Sequence, residues 1–306
     1  MTRRLIESVP NISEGRSPET VEAIARAAVG PECWLLDVSS DADHHRSVIT
    51  LVGSREGIAE GIHRLVSEAV ERIDLRDHQG AHPRMGAVDV VPFIPVGATE
   101  MEECVAVSRD VGERIGTELD VPVLLYEGSA TAPHRRNLAA IRKGEFEGLA
   151  TKLGDPQWTP DFGPAAPHPS AGAVAVGARP FLIAFNVNLA CDDVDVAKRI
   201  AAAVRHSSGG LRHVKALGLP LEERGTVQVS MNLTDFRKTP ILRVLDLVRL
   251  EARRFGVAVT DCEIVGKVPR AALYDVAGSV LQLPDFRPEI VLEERIEDVL
   301  GGDPLS

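Results

Sequence analysis

Twice along the chain the hydrophobic pattern runs strand, helix, strand, strand, helix, strand, and few folds are open to a chain built that way. In the first pass, residues 5–9 read as a strand. Ser17, Pro18 and Glu19 supply the cap, first-turn proline and acid of a helix reaching residue 29. Residues 34–38 and 46–52 are strands and 55–72 a helix, with Ile58, Ile62, Leu65, Val66 and Ala69 on its apolar face; 87–95 is a valine-rich strand. The second pass has strands at 181–189, 211–217, 226–233 and 257–265, with helices at 192–205 and 240–255.

This order is the split βαβ arrangement, with helices on one face of a mostly antiparallel sheet. The fold expected is therefore α/β of the α+β kind: two ferredoxin-like βαββαβ subdomains packed as a double β-sheet layer with helices outside. Their extents are 1–178 and 179–306. Helical patterns at 99–119, 134–141 and 144–153, and a strand at 121–126, enlarge the first subdomain. Between the repeats, residues 155–172 carry five prolines. Such a stretch is either a linker or the lining of a cleft at the domain junction.

Composition narrows the function. Lys and Arg number 34 against 45 Asp and Glu, for a formal charge of −11, and no basic block interrupts the chain. A nucleic-acid partner is disfavoured by that charge and by only 4% aromatic residues. No apolar run is long enough for a membrane span, and none follows Arg3 and Arg4 as a signal peptide would need. Cys33, Cys104, Cys191 and Cys262 are widely spaced, so four reduced, mostly buried thiols in a cytoplasmic protein are expected. Glycine-rich phosphate loops are absent.

Chemistry concentrates in two loops. Asp74 to Asp89 contains His78, His82, Arg76 and Arg84 among glycines, ahead of a buried strand. Histidine suits proton transfer near neutrality, and arginine offers a fork to carboxylates. Read on its own, this loop is either a site or a solvated connection with capping aspartates. The second cluster is Asp41, Asp43, His44, His45 and Arg46, where Arg46, Val48 and Thr50 share one strand face. A divalent metal between the two clusters is disfavoured, because His78 and His82 lie in a glycine–proline loop and not on a helix. In the second repeat, Asn186 and Asn188 alternate with apolar residues, as do Gln228, Ser230 and Asn232. These rows offer polar groups to a ligand, or belong to a half-exposed sheet.

At these residues the sequence resembles the glutamate formiminotransferase family. The matching segments are Glu7-Ser-Val-Pro-Asn-Ile-Ser-Glu-Gly15, His45-Arg-Ser-Val48 and His78-Gln-Gly-Ala-His-Pro-Arg-Met-Gly-Ala-Val-Asp-Val90. Pro92-Phe-Ile-Pro95, Asp161-Phe-Gly-Pro164, Gly177-Ala-Arg-Pro-Phe-Leu-Ile-Ala-Phe-Asn-Val-Asn-Leu189 and Val229-Ser-Met-Asn-Leu-Thr-Asp235 follow in order. The resemblance implies two α/β subdomains, a homodimer, small-molecule substrates and tetrahydrofolate as cosubstrate, with no metal and no cyclodeaminase domain.

It further implies transfer of the formimino group from N-formimino-L-glutamate to N5 of tetrahydrofolate. The family's catalytic histidine falls on His82, which would take the N5 proton and return it to the departing amine. Its folate segment falls on 163–172, with Gly163, Pro164, His168 and Gly172. By position, Asp43 would hold the protonated amidine and Arg46 and Arg84 would hold substrate carboxylates. His45 would line the site, and Asn186 and Asn188 would meet the pterin. The chain departs from the family pattern at Ala81, beside His82, where glutamate is usual, and at His45, where asparagine is usual. Ser39 and Ala171 also differ. These changes keep open another one-carbon donor, an amidine hydrolase, or an inert folate-binding homologue.

Overall fold

The computed structural model describes residues 3–42, 44–80, 83–221 and 224–299, and the chain divides between Arg179 and Pro180 into two compact units.

The first unit opens with β1 (Arg4–Ser8) and β2 (Asn11–Ile12), two pieces of one sheet position interrupted at Val9 and Pro10. Proline has no N–H to give a ladder, so the strand breaks there. Its carbonyl still accepts from the Ile49 N–H at 3.0 Å. Then follow α1 (Pro18–Ala28), β3 (Cys33–Asp41), β4 (Arg46–Gly53), α2 (Arg55–Arg72) and β5 (Val88–Gly97). Both helix starts are chemically specified, since Ser17 Oγ accepts from Thr20 N–H and Ser54 Oγ accepts from Gly57 N–H. The antiparallel order β3-β4-β1-β5 is the ferredoxin-like one, with β2 also between β4 and β5.

Beyond β5 the sheet continues in parallel. α3 (Met101–Glu118) leads to β6 (Val123–Glu127), and β7 (Val174–Ala178) inserts between β5 and β6. The sequence reading assigned no strand to β7, a short run rich in alanine and glycine that is buried at every position. Ile6, Ile12, Ile49, Leu51, Val91 and Phe93 form the core with α1, α2 and α3. On the other sheet face α4 (Leu138–Arg142) and α5 (Glu145–Leu153) cover Val90, Leu124, Tyr126 and Ala175 in a smaller core.

The second unit repeats the theme. It contains β8 (Ile183–Leu189), α6 (Val194–Val204), β9 (Val214–Leu221), β10 (Thr226–Leu233), α7 (Ile241–Arg254) and β11 (Val259–Val265). The strands form an antiparallel sheet ordered β11-β8-β10-β9, again ferredoxin-like. β9 starts three residues later than the hydrophobic pattern predicts and tolerates Pro220 because it lies at an edge. α8 (Arg270–Val280) and α9 (Leu292–Val299) follow where the hydrophobic pattern predicts no element, and α8 buries only Ala272. Cys33 and Cys104 are buried, Cys191 is half-buried and Cys262 is exposed, so burial of the thiols is less general than expected. Among the described residues no helix is long and apolar enough to cross a membrane.

Candidate active site

The histidine-bearing loop after α2 is tied down at both ends. Leu75 N–H donates to Ser170 O and Ala87 N–H to Ala171 O, each at 2.9 Å, while Ala173 N–H donates to Met85 O at 3.0 Å. From the N-terminal side, Ser13 N–H meets Ala87 O and Ser13 Oγ meets Gly86 O. Chain entering and leaving the loop is therefore part of the sheet framework, which is what a positioned functional loop requires.

Within it, His78 and Arg84 are buried and bonded to each other. Arg84 Nε donates to His78 Nδ1 at 3.2 Å, and Arg84 also reaches His78 O at 3.3 Å. Arginine has no lone pair to offer, so Nδ1 is the acceptor and the ring proton sits on Nε2. That nitrogen is 2.9 Å from His45 O. The His45 and His78 rings lie 4.3 Å apart at a tilt of 46°. His45 has φ of 50°, a left-handed conformation uncommon outside glycine, and its Nδ1 accepts from Gly15 N–H at 3.3 Å. Burial first, then the neighbouring His78, lowers the His45 pKa, with Glu14 opposing.

The Arg84 guanidinium is held from the far side by Glu147, at 2.7 and 3.0 Å, and by Glu145 at 3.3 Å. Its pKa is raised, chiefly by the Glu147 hydrogen bond. These groups border an open cleft of about 510 Å³ lined by Leu75, Arg76, His78, Gly80, Phe146 and Glu147, among others. His82 and Asp43 lie outside the described residues.

The proline-rich stretch is folded into the first unit. Val123 N–H donates to Phe162 O at 2.9 Å, and Asp161 accepts from Leu125 N–H and from Arg135, a pair buried on both sides. His168 and Gly172 exchange backbone hydrogen bonds, and His168 Nδ1 accepts from Ala171 N–H at 3.0 Å. Gly172 has φ of +69°, and a Cβ there would run into Met85 O. Glycine is thus needed on two counts where the proline-rich segment crosses the histidine loop. Gly163 is also left-handed, and the backbone approaches Gly116 of α3 closely there.

A third group sits on the first sheet's other face. Asp89 accepts Met85 N–H at 2.9 Å and pairs with Arg142 of α4. Arg46 stands close by, half-buried. Its pKa is lowered by burial and then by the Arg142 charge, with Asp89 and Asp41 opposing. Glu7 of β1 is buried beside Arg179, and Oε2 has no hydrogen-bond partner. The motif at residues 7–15 gives Glu7 no role of its own. The missed signal was an acid in an otherwise apolar strand, Leu5-Ile6-Glu7-Ser8-Val9. In the second unit, Asn188 donates to Asp261 at 2.6 Å and accepts from Gln228 at 2.9 Å, while Asn186 donates to Glu263 at 3.3 Å. His45, His78 and Arg84 are thus brought together, Arg46 belongs to the Asp89 group, and the asparagines form a bonded row of their own.

Known families decide what these groups belong to. The formiminotransferase domain, N-terminal subdomain, matches residues 5–179, and the formiminotransferase domain matches residues 184–295. The chain belongs to the formiminotransferase family. It is 48% identical over 284 residues to a glutamate formimidoyltransferase of Streptococcus pyogenes, covering 92% of this chain and 95% of that protein. A glutamate formimidoyltransferase of Thermoplasma acidophilum is 47% identical over 296 residues, with 96% and 97% covered. Against the formimidoyltransferase-cyclodeaminase of Gallus gallus the identity is 45% over 315 residues, covering 99% of this chain and 58% of the longer protein.

In this member of the family His45 gives the loop two things. Its main chain receives the His78 proton, and its ring covers one side of the His78 imidazole. Gly80 packs so near that an added Cβ would come within 2.6 Å of His44 O. The neighbourhood of His78 is therefore built from the β3–β4 turn as much as from its own loop.

Proposed function

We propose that this chain transfers the formimino group of N-formimino-L-glutamate to N5 of tetrahydrofolate, releasing glutamate, with His82 as proton carrier. The observation that carries the reading is the buried His78–Arg84 pair. In sequence His82 falls between these two anchors, next to residues that line a cleft of about 510 Å³. A general base works only where its distance to the reacting atoms is held, and anchors on both sides serve that end.

The residues present fit a folate. The Gly163–Gly172 segment is hydrogen-bonded to the chain on both sides of the histidine loop, through Leu75 and Ala87. Tetrahydrofolate, when bound, supplies the secondary amine that receives the one-carbon unit. His82 takes up the proton lost at that amine and gives it to the α-amine of departing glutamate. Arg46 presents positive charge to a substrate carboxylate. Arg84, committed to Glu147 and His78, positions the loop. The protein acts in this reading as a cytoplasmic homodimer, to be checked by sedimentation.

The test is a coupled assay of the purified protein with tetrahydrofolate and formiminoglutamate, beside His82→Ala. Formiminotetrahydrofolate formed by the wild type and lost in the variant is the expected result. No product despite measurable tetrahydrofolate binding overturns the reaction named.

A further inference from the structure

The first sheet carries a carboxylate that the reaction, as assigned above, does not use. Glu7 sits in the middle of β1, opposite Val52 of β4 and Ile94 of β5. Ile6 packs into the helix-side core, so alternation turns Glu7 to the other sheet face. The side chain is 6% exposed, and Oε2 is buried with no hydrogen-bond partner. Its charged neighbour is Arg179, which is hydrogen-bonded to the fully buried Tyr126 of β6. Arg179 accounts for a negative charge here but not for a bare oxygen, since an acid placed only to balance it would have that oxygen hydrogen-bonded. A buried, unsatisfied acceptor beside Arg179, on the sheet face that also carries Arg46, points to a group completed by a ligand.

We propose that Glu7 binds substrate through an N–C–N group bearing N–H donors. The inference rests on the formimino-transfer reading, which supplies two such groups. One is the amidine of the formimino donor, which is a better acceptor of a nucleophile when protonated. The other is the pyrimidine edge of the pterin. Both are planar, both offer N–H donors, and both are matched by a carboxylate and poorly by an amide. The Arg179 charge opposes the burial that disfavours the ionised carboxyl, and a bound N–C–N group would oppose it further.

The experiment compares wild type with Glu7→Gln and Glu7→Met, measuring three quantities: melting temperature, tetrahydrofolate Kd by calorimetry, and KM with kcat for formiminoglutamate. Glu7→Met removes the stranded oxygen, whereas Glu7→Gln removes only the charge, so the melting temperature of Glu7→Met at pH 8 should equal or exceed that of the wild type, which a merely structural acid would not allow. With that, a tenfold or greater rise in tetrahydrofolate Kd assigns Glu7 to the pterin. A tenfold or greater rise in KM for formiminoglutamate at unchanged folate Kd assigns it to the amidine. Kd and KM both within twofold of wild type overturn the inference, as does loss of the fold in both variants. If the wild type binds tetrahydrofolate but turns nothing over, the named reaction fails. The inference then stands or falls on whether the variants lose folate affinity tenfold.

Discussion

Arg84 donates to Nδ1 of His78, and that one contact fixes the proton of His78 on the opposite nitrogen, facing the His45 carbonyl. The bond is local in sequence, yet it fastens the loop to a turn on the far side of two strands. Remote control of a site through a tautomer is a familiar device where a histidine must keep one orientation.

Arg84→Lys is therefore expected to hurt turnover more than binding. Lysine is a point charge and cannot serve His78 and Glu147 with one rigid fork. We expect kcat to fall ten- to a hundredfold with a smaller change in KM. The loss of a charge-assisted contact should cost about 1.5–3 kcal/mol of stability. Steady-state kinetics and urea titration of the same preparation check both.

The Arg135–Asp161 pair gives a second prediction. Both side chains are under a tenth exposed, and Asp161 also accepts the Leu125 N–H at 2.7 Å and the Thr131 hydroxyl at 2.5 Å. Asp161→Ala strands a buried guanidinium as well as a backbone donor, and should cost about 3–5 kcal/mol. Removing the arginine at the same time should recover part of that loss, because the uncompensated charge is gone. A double-mutant cycle read by denaturant unfolding decides.

Much of this was legible in the sequence, for a physical reason. Helices such as α2 announce themselves through a cap at Ser54 and an apolar face from Ile58 to Ala69, both local signals. The doubled strand–helix order carried the ferredoxin-like topology with it, because few sheet orders accept that succession. What escaped depends on distant partners. β7 is five small residues that become a strand only between β5 and β6. His78 is a ligand of Arg84 and His45 through contacts that no spacing rule encodes. Glu7 was hidden in plain view, since its significance lies in the missing partner of one oxygen.

Glu7 also makes a stability prediction. Burial raises its pKa to about 7 from 4.5, with Arg179 opposing. Between those values the folded protein holds a proton that the unfolded chain has released, so this residue's contribution falls as pH rises from 4.5 to 7 and stays low above. His45 and His63, whose pKa values are lowered mainly by burial, push the other way below pH 6.5. The whole-protein curve therefore mixes opposite slopes, and the difference between wild type and Glu7→Gln isolates the acid. Between pH 4.5 and pH 8 that difference should move in the variant's favour by about 3 kcal/mol, given about 1.4 kcal/mol per pKa unit. Equal profiles for the two proteins would show that Glu7 is not desolvated in solution.

Gly172 and Gly209 separate two costs that are usually confounded. Both are left-handed, with φ of +69° and +95°. Around Gly209 nothing lies within 4 Å of the position a Cβ would take, whereas at Gly172 that position runs into Met85 O, with Phe146 and Leu75 side chains at 3.1 and 3.2 Å. Gly209→Ala therefore meets the backbone penalty alone, about 1–2 kcal/mol. Gly172→Ala meets the same penalty and must also push the Gly163–Gly172 turn away from the Met85 strand segment, so it should lose at least twice as much. Because Met85 adjoins Arg84, the displacement should reach the His78 contact and lower tetrahydrofolate affinity, an effect Gly209→Ala should not share. Thermal unfolding and calorimetric titration of the two variants side by side test this. Equal losses in both would mean that the crossing of these two segments has slack, and that the loop is not held where the Gly163–Gly172 segment meets it.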